Sequence, residues 1–176
     1  MMKKRLFAVF VSLCMIVSML PAVAFADDSH VDHDGWKTLS GTIDDTLLPA
    51  GKYVLTGELT LNSNVTFDNS TVICLNGHTI NGNEHGIFSN NALTICDCTG
   101  EGRIDNSIFQ GVSLTNVRLF GTQILSGSAE TNINSGTYVD ARCKIITQGD
   151  SNSVISINGG AEIRSSVTIE LKGGDS

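Results

Sequence analysis

The chain has 176 residues and a formal net charge of −7, and this length allows one domain of ordinary size. Three of its 11 Lys and Arg residues lie at positions 1–26, whereas all 18 Asp and Glu residues follow them, so positions 27–176 carry a net charge of −10. A surface this acidic argues against nucleic acid and anionic membranes as partners.

Positions 1–26 have the three parts of a secretory signal. Basic residues occupy positions 3–5, an apolar run covers positions 6–20, and Ala24-Phe25-Ala26 places small residues at the cleavage-defining positions. An apolar run of about 15 residues is short for a transmembrane helix, which needs about 20. We therefore predict a signal peptide over residues 1–26, a chain that is secreted or held at the cell surface, and no transmembrane segment after the signal.

The rest of the chain alternates apolar and polar residues and keeps no helical stripe. Each alternating run is short and ends in Gly, Asn, Ser or Asp, as expected of half-buried strands between tight turns. The runs contain the apolar pairs Tyr53/Leu55, Leu59/Leu61, Val65/Phe67, Ile73/Leu75, Leu93/Ile95, Ile155/Ile157 and Val167/Ile169. The sequence predicts an all-β protein.

Some of these strands recur at a nearly constant spacing. The step from Ile73 to Ile95 is close to the step from Ile95 to Leu119, and a similar step separates Ile133 from Ile157. Such steps are typical of a parallel β-solenoid, in which each turn lays its strands on those of the turn before. The step from Leu119 to Ile133 is much shorter, so either one turn is short or the assumed register is wrong there.

A β-sandwich is the alternative fold, because Asn76-Gly77 and Asn81-Gly82 have the composition of two-residue hairpin turns. The two pairs lie too close together for successive hairpins, but their separation suits two corners of a solenoid. We therefore predict a β-solenoid over residues 49–176, with five to six coils of about 22–24 residues. Residues 27–48 would form an N-terminal lead-in and cap. The C-terminus shows no amphipathic cap, which suggests a fragment of a longer protein or a unit that stacks end to end.

A family resemblance rests on the segments 72–80 (VICLNGHTI) and 93–104 (LTICDCTGEGRI), preceded by 32–37 (DHDGWK) and 48–56 (LPAGKYVLT). Together they resemble a recurrent arrangement in secreted Gram-positive bacterial proteins that carry right-handed parallel β-helices of the pectate-lyase-like superfamily. The resemblance covers about residues 30–105. It implies a right-handed β-helix in a surface protein of adhesin-like or carbohydrate-binding type.

Two groups of residues are candidates for a metal site. His30 and His33 lie in an Asp-rich segment, but that segment lacks the terminal Glu of a calcium-binding loop. The second group contains the cysteines Cys74, Cys96 and Cys98 with His78 and His85. Its Cys-x-Cys spacing is not the usual one for zinc. A disulfide is the competing interpretation, because the predicted register stacks Cys74 on Cys96 and places Cys98 on the same face.

The densest group of candidate catalytic residues comprises Asp97, Glu101, Arg103 and Asp105. β-Helix hydrolases use converging carboxylates as general acid and base, and lyases use acidic residues that bind calcium together with a basic residue. The competing interpretation is a solvated turn with a local ion pair.

Two further expectations concern turns and core. Asn76 and Gly77 are predicted to form a structural turn, because both tolerate left-handed backbone geometry, and Cys74 is expected to point outward or into this corner. The aromatic residues Phe67, Phe88, Phe109 and Phe120 are expected to stack in the core.

These observations favour a non-catalytic module for glycan or surface recognition, or for structural spacing, and they predict no cofactor. Extracellular glycans, or neighbouring domains of a longer surface protein, are the predicted partners. The alternatives are a β-helix polysaccharide lyase or glycoside hydrolase, and a structural unit that stacks end to end.

Overall fold

A computed structural model describes residues 32–44, 47–67, 70–126, 129–147, 154–164 and 166–171. These residues form an all-parallel β-solenoid of about six turns, and none of them is helical. The predicted signal peptide lies outside the described residues. The strands are β1 (Lys37–Ile43), β2 (Gly51–Leu61), β3 (Val65–Phe67), β4 (Thr71–Cys74), β5 (Thr79–Asn81), β6 (Gly86–Cys96), β7 (Arg103–Asp105), β8 (Ile108–Thr115), β9 (Arg118–Phe120), β10 (Gln123–Leu125), β11 (Thr131–Ile133), β12 (Tyr138–Val139), β13 (Lys144–Thr147), β14 (Ile155–Ile157), β15 (Glu162–Ile163) and β16 (Thr168–Leu171).

Each turn contributes to three walls. The first wall contains the beginnings of β1 and β2, then β4, the ends of β6 and β8, β11 and β14. The second wall contains the ends of β1 and β2, then β5, β7, β9, β12 and β15. The third wall contains β3, the beginnings of β6 and β8, β10, β13 and β16.

All of these strand pairs are parallel, so the predicted solenoid is confirmed and the alternative β-sandwich is wrong. Within the described part of the chain, the stack begins at Lys37, because β1 pairs with β2. β1 therefore belongs to the first turn, although it lies within the segment expected to form the lead-in and cap.

The turns differ in length, which explains the irregular step in the sequence. Ile73 lies opposite Ile95, and Ile133 lies opposite Ile157, as their spacing predicts. Ile95, however, pairs with Leu114, which comes earlier in the chain than the expected partner. The predicted alignment of Ile95 with Leu119 is therefore wrong.

Leu119 belongs to a different wall. It pairs with Ile104 of the turn before and with Val139 of the turn after. The turns differ in their number of residues, and this difference lies in the corners between the strands. Consequently, the predicted coil length describes some turns of the solenoid, while others are shorter.

The core is built from stacked aliphatic side chains. One column along the second wall contains Leu59, Ile80, Ile104, Leu119 and Val139, all of them buried. Burial of each such side chain stabilises the fold by roughly 1.5–3 kcal/mol. Two columns end at exposed residues in the last turn: Ile157 (49% exposed) stacks on Ile133, and Ile169 (59% exposed) stacks on Ile145.

The corner after β4 contains the Asn-Gly pair. Asn76 has a φ of 48° and Gly77 a φ of 77°, so both adopt left-handed backbone geometry. The side-chain amide of Asn76 donates to the carbonyl of Leu55 in the preceding turn.

Among the described residues, no helix has the length and hydropathy to cross a membrane.

Candidate functional site

The four arginines that follow residue 5 all lie on the outside of the second wall or at its edge. Ile104 and Leu119 point into the core, and the side chains on either side of them in the strands point outward. Across the two strands, Arg103 lies opposite Arg118 and Asp105 lies opposite Phe120. In the next turns, Tyr138 lies between Arg118 and Glu162. We call this surface the arginine–aromatic wall: Arg103, Arg118, Arg142 and Arg164 with Phe120 and Tyr138.

Phe120 is the centre of the arginine–aromatic wall. The guanidinium carbon of Arg103 lies 4.1 Å from the centroid of the Phe120 ring, and that of Arg142 lies 5.8 Å away. The ring of Tyr138 is tilted against Phe120, with a centroid separation of 5.8 Å. Arginine and aromatic groups at these distances attract one another, so the surface is held in a defined arrangement.

Tyr138 is held from the following turn. Arg164 Nε donates to the Tyr138 hydroxyl at 2.9 Å, and its guanidinium carbon lies 5.3 Å from the ring centroid. This hydrogen bond raises the pKa of Arg164. The guanidinium group therefore stays charged and fixes the orientation of the hydroxyl.

Carboxylates pair with each arginine of the wall. Arg103 Nε lies 2.6 Å from Asp105 Oδ1, and Arg142 Nε lies 2.9 Å from Asp140 Oδ1. The other two pairs, Arg118 with Glu101 and Arg164 with Glu162, are longer, at 3.5 and 3.9 Å. Hydrogen bonds from the side chain and backbone of Arg142 lower the pKa of Asp140. Four positive and four negative groups thus balance on this surface.

A groove of about 510 Å³ runs along the same wall. It is lined by Arg118, Phe120, Tyr138 and Arg164 and by corner residues such as Gly136. The volume falls within the usual range for sites that bind small molecules. The groove therefore offers aromatic side chains, N–H donors and a carboxylate acceptor to one ligand.

Asp97 is not part of this surface. It is 3% exposed and lies in the corner between β6 and β7. Its carboxylate accepts hydrogen bonds from the backbone N–H groups of Gly77, Gly102 and Thr99 and from the Thr99 hydroxyl. Burial alone would raise the pKa of Asp97, but these hydrogen bonds outweigh it and lower the pKa.

The other three candidate catalytic residues lie close to the groove, but in two separate ion pairs. Arg103 pairs with Asp105, and Glu101 pairs with Arg118. Asp97 is thus held in its corner by hydrogen bonds, whereas Glu101 and Asp105 each pair with an arginine. A local ion pair is present, as the competing interpretation predicts, but Asp97 is buried rather than solvated.

A second group of chemically active side chains lies on the outside of the first wall. Ligand atoms of His33, Cys74 and Cys98 all lie within 4.8 Å of one another. Cys96 lies opposite Cys74 in the next turn. We call these four residues the cysteine–histidine cluster. The side chain of Trp36 covers it, together with Val54 and Val72.

Cys74 points away from the main core, as expected, but it is fully buried because other side chains cover it. It lies outside the main core, in the small apolar cluster beneath Trp36. In this structure Cys74 and Cys98 are free thiols with their sulfurs 3.5 Å apart, and the disulfide between them stays a prediction.

The thiols differ in acidity. A hydrogen bond to Cys96, together with burial, raises the pKa of Cys74. The same hydrogen bond lowers the pKa of Cys96. Burial raises the pKa of Cys98 to about 11.

The remaining metal candidates do not join this cluster. His78 and His85 are half-buried, and within the described residues neither belongs to a group of potential ligands. His30 lies outside the described residues. Cys143 is buried beside the carbonyl of Leu119, well away from the other cysteines in the turn order.

Sequence reasoning missed the arginine–aromatic wall. Phe67 and Phe109 are buried in the core as expected, but Phe88 and Phe120 are only half-buried, and Phe120 lies on the outside of the solenoid. The alternation around Ile104 and Leu119 could have predicted this surface, because it places their polar and aromatic neighbours on the outside.

Comparisons with protein-family models, with curated proteins and with solved structures find no match.

Proposed function

We propose that the chain is a non-catalytic extracellular module that binds a polysaccharide along the arginine–aromatic wall. The observation that carries the proposal is the contact between Arg103, Phe120 and Tyr138 beside a groove of about 510 Å³. Aromatic rings pack against the apolar faces of sugars, and the guanidinium and carboxylate groups around them match sugar hydroxyls as donors and acceptors.

The charge balance favours a ligand with little net charge. Each arginine of the wall has a carboxylate within 3.9 Å, so the surface offers hydrogen bonds without a strong field of one sign. The chain after residue 26 is acidic overall, which disfavours polyanions. Neutral polysaccharides fit this surface better than nucleic acids or highly sulfated glycans.

The shape of the surface favours a chain of sugars over a single sugar. The wall runs through four successive turns, from β7 to β15. Neighbouring strands are about 4.8 Å apart, so the surface extends over roughly 14 Å. An oligosaccharide segment lying across the strands would contact several turns at once.

The location and the family are further parts of the proposal. The predicted signal over residues 1–26 supports secretion or display at the cell surface. The resemblance to right-handed β-helices of secreted Gram-positive bacterial proteins, of the pectate-lyase-like superfamily, supports a carbohydrate-binding or adhesin-like role. Neighbouring domains of a longer surface protein would then be additional partners.

The pKa shifts support binding over catalysis. A general acid in a glycoside hydrolase needs a raised pKa. On this wall, hydrogen bonds from Arg142 instead lower the pKa of the Asp140 carboxyl. The carboxylates of Asp105 and Asp140 are also engaged by arginines at short distance. A polysaccharide lyase or hydrolase remains the alternative proposal.

Affinity electrophoresis in gels that contain soluble polysaccharides tests the binding proposal. We expect a neutral polysaccharide to retard the protein, and Phe120→Ala to weaken this binding about tenfold, which corresponds to about 1.4 kcal/mol. Phe88→Ala is the matched control, because Phe88 is half-buried on the third wall. No retardation by any polysaccharide, or equal retardation of the two variants, would contradict the proposal.

A second candidate function is end-to-end stacking. Ile157 and Ile169 end two columns of the core and are 49% and 59% exposed among the described residues. A second copy that covered them would continue the solenoid. Light scattering over a range of protein concentrations tests this candidate. Stacking requires a mass that rises with concentration and falls back to the monomer in Ile169→Ser, whereas a constant monomer mass would exclude it.

A further inference from the structure

The cysteine–histidine cluster brings together donors from three separate parts of the chain. His33 precedes β1, Cys74 ends β4, and Cys98 follows β6. Their ligand atoms lie within 4.8 Å of one another, and the two sulfurs are 3.5 Å apart. Within the described residues, no other group of His, Cys, Asp and Glu side chains has this property.

We propose that His33, Cys74 and Cys98 bind a thiophilic divalent cation, with Zn²⁺ as the fitting ion. Two thiolates and an imidazole are preferred ligands of zinc. This site is separate from the arginine–aromatic wall and does not depend on the glycan-binding proposal.

The spacing of the donors suits tetrahedral coordination. With Zn–S bonds of about 2.3 Å and Zn–N bonds of about 2.0 Å, a tetrahedral ion holds two sulfurs roughly 3.8 Å apart and a sulfur and a nitrogen roughly 3.5 Å apart. The sulfurs of Cys74 and Cys98 are 3.5 Å apart, which is close to the first value, and all the ligand atoms lie within 4.8 Å of one another. Metal binding would draw the His33 nitrogen and the sulfurs to the tetrahedral separations.

The surroundings favour a neutral complex. Trp36 packs edge-on against His33 with ring centroids 4.9 Å apart, and Val54 and Val72 contribute apolar surface. A divalent cation with two thiolates and a neutral imidazole has no net charge, so its burial costs little. The two thiol protons pass to the solvent when the metal binds.

The coordination sphere has an entry path and an open position. His33 and Cys98 are half-buried, whereas Cys74 is fully buried. The metal therefore enters from the outside of the first wall, and water takes the fourth position. Cys96 lies beside the site. Its thiol donates a hydrogen bond to the carbonyl of Ile73 at 3.5 Å and is hydrogen-bonded to the Cys74 thiol.

Bound metal would attach the segment before β1 to the third and fourth turns of the solenoid. That segment contacts the first wall through Trp36 and His33. A ligand that binds only the folded state stabilises it by mass action. At a free Zn²⁺ concentration of about 100 times Kd, we expect the thermal midpoint to rise by roughly 5–10 °C.

Cobalt titration of the reduced, metal-free, untagged protein tests the proposal. We expect one Co²⁺ per chain, with the absorption of a tetrahedral thiolate complex, and displacement by Zn²⁺. Cys98→Ser and His33→Ala are expected to weaken binding by at least roughly 100-fold. Cys143→Ser is the matched control, because Cys143 is a buried thiol that is not in the cluster. It should bind like the unmodified protein.

Three results would overturn the proposal. The first is the absence of a tetrahedral thiolate spectrum from the reduced protein. The second is equal affinity in Cys98→Ser, His33→Ala and Cys143→Ser. The third is a Cys74–Cys98 disulfide, found by mass spectrometry in protein isolated without reductant, because this bond consumes both sulfur ligands. His33→Ala keeps the test valid if Cys98→Ser fails to fold, since His33 lies outside the strands.

Discussion

Asp97 shows how burial determines the role of a single residue. Its carboxylate organises the corner between β6 and β7 by accepting four hydrogen bonds, from Gly77, Gly102 and Thr99. Gly102 must lack a side chain there, because a Cβ would lie 2.5 Å from the carboxyl carbon of Asp97. The role of Asp97 is therefore structural.

Asp97→Asn should destabilise the protein by roughly 2–4 kcal/mol, because an amide N–H₂ group cannot accept the bonds from Thr99 and Gly102. Urea unfolding measures this change. Asp105→Asn is the control, since it removes only a partly exposed ion pair and should cost less than about 1 kcal/mol. Equal effects of the two substitutions would contradict the structural role of Asp97.

The same carboxylate predicts part of the acid sensitivity. The pKa of Asp97 is lowered in the folded state below its ordinary value of 3.8. Its stabilisation is therefore fully present above that value and is lost as the pH falls through the lower, folded-state pKa. In urea unfolding at a series of pH values, the stability of the unmodified protein should decline in this acid range more steeply than that of Asp97→Asn.

At the scale of elements, the corners set the register between turns. Gly82 lies in the corner after β5 and packs against the next corner, so a Cβ there would lie 2.5 Å from Ser107 Cβ and 2.6 Å from the backbone of Asn106 and Ser107. The backbone atoms of Asn106 and Ser107 cannot move away from this contact as the end of a flexible side chain could. Close contact between successive corners therefore requires glycine at this position.

Gly82→Ala should cost roughly 1–3 kcal/mol, because it overpacks the contact between two corners. Gly159→Ala is the matched control: Gly159 also occupies a corner, but a Cβ there meets no atom within 4 Å. Thermal unfolding of both variants measures the difference. A Gly159→Ala variant as unstable as Gly82→Ala would contradict this account of the corners.

The strands could be predicted from the sequence, but their register only in part. Alternation around Ile73 and Ile95 identifies inward residues, and the predicted alignment of these two is correct. The next step, from Ile95 to Leu114, is shorter, because the corner between the third and first walls is short there. Corner length follows from local packing, which no simple spacing rule encodes.

At the scale of the whole molecule, the solenoid brings distant residues together on one surface. Arg103, Phe120 and Tyr138 come from three successive turns, and Phe120 contacts both of the others. Because those turns differ in length by several residues, their spacing in the sequence gives no fixed period. The cysteine–histidine cluster was predictable in its cysteines, but the contribution of His33 depends on how the chain enters the first turn.

For the whole molecule, the proposed function is to bind a polysaccharide without cleaving it. The most direct test measures product release from plant, host and microbial polysaccharides, including the one that retards the protein most strongly. Reducing ends and unsaturated-uronate absorbance are followed with calcium present. We predict retention of the polysaccharide and no product above that of the protein-free control. Turnover of any polysaccharide that is lost in Asp105→Asn would contradict the account and assign catalysis to the arginine–aromatic wall.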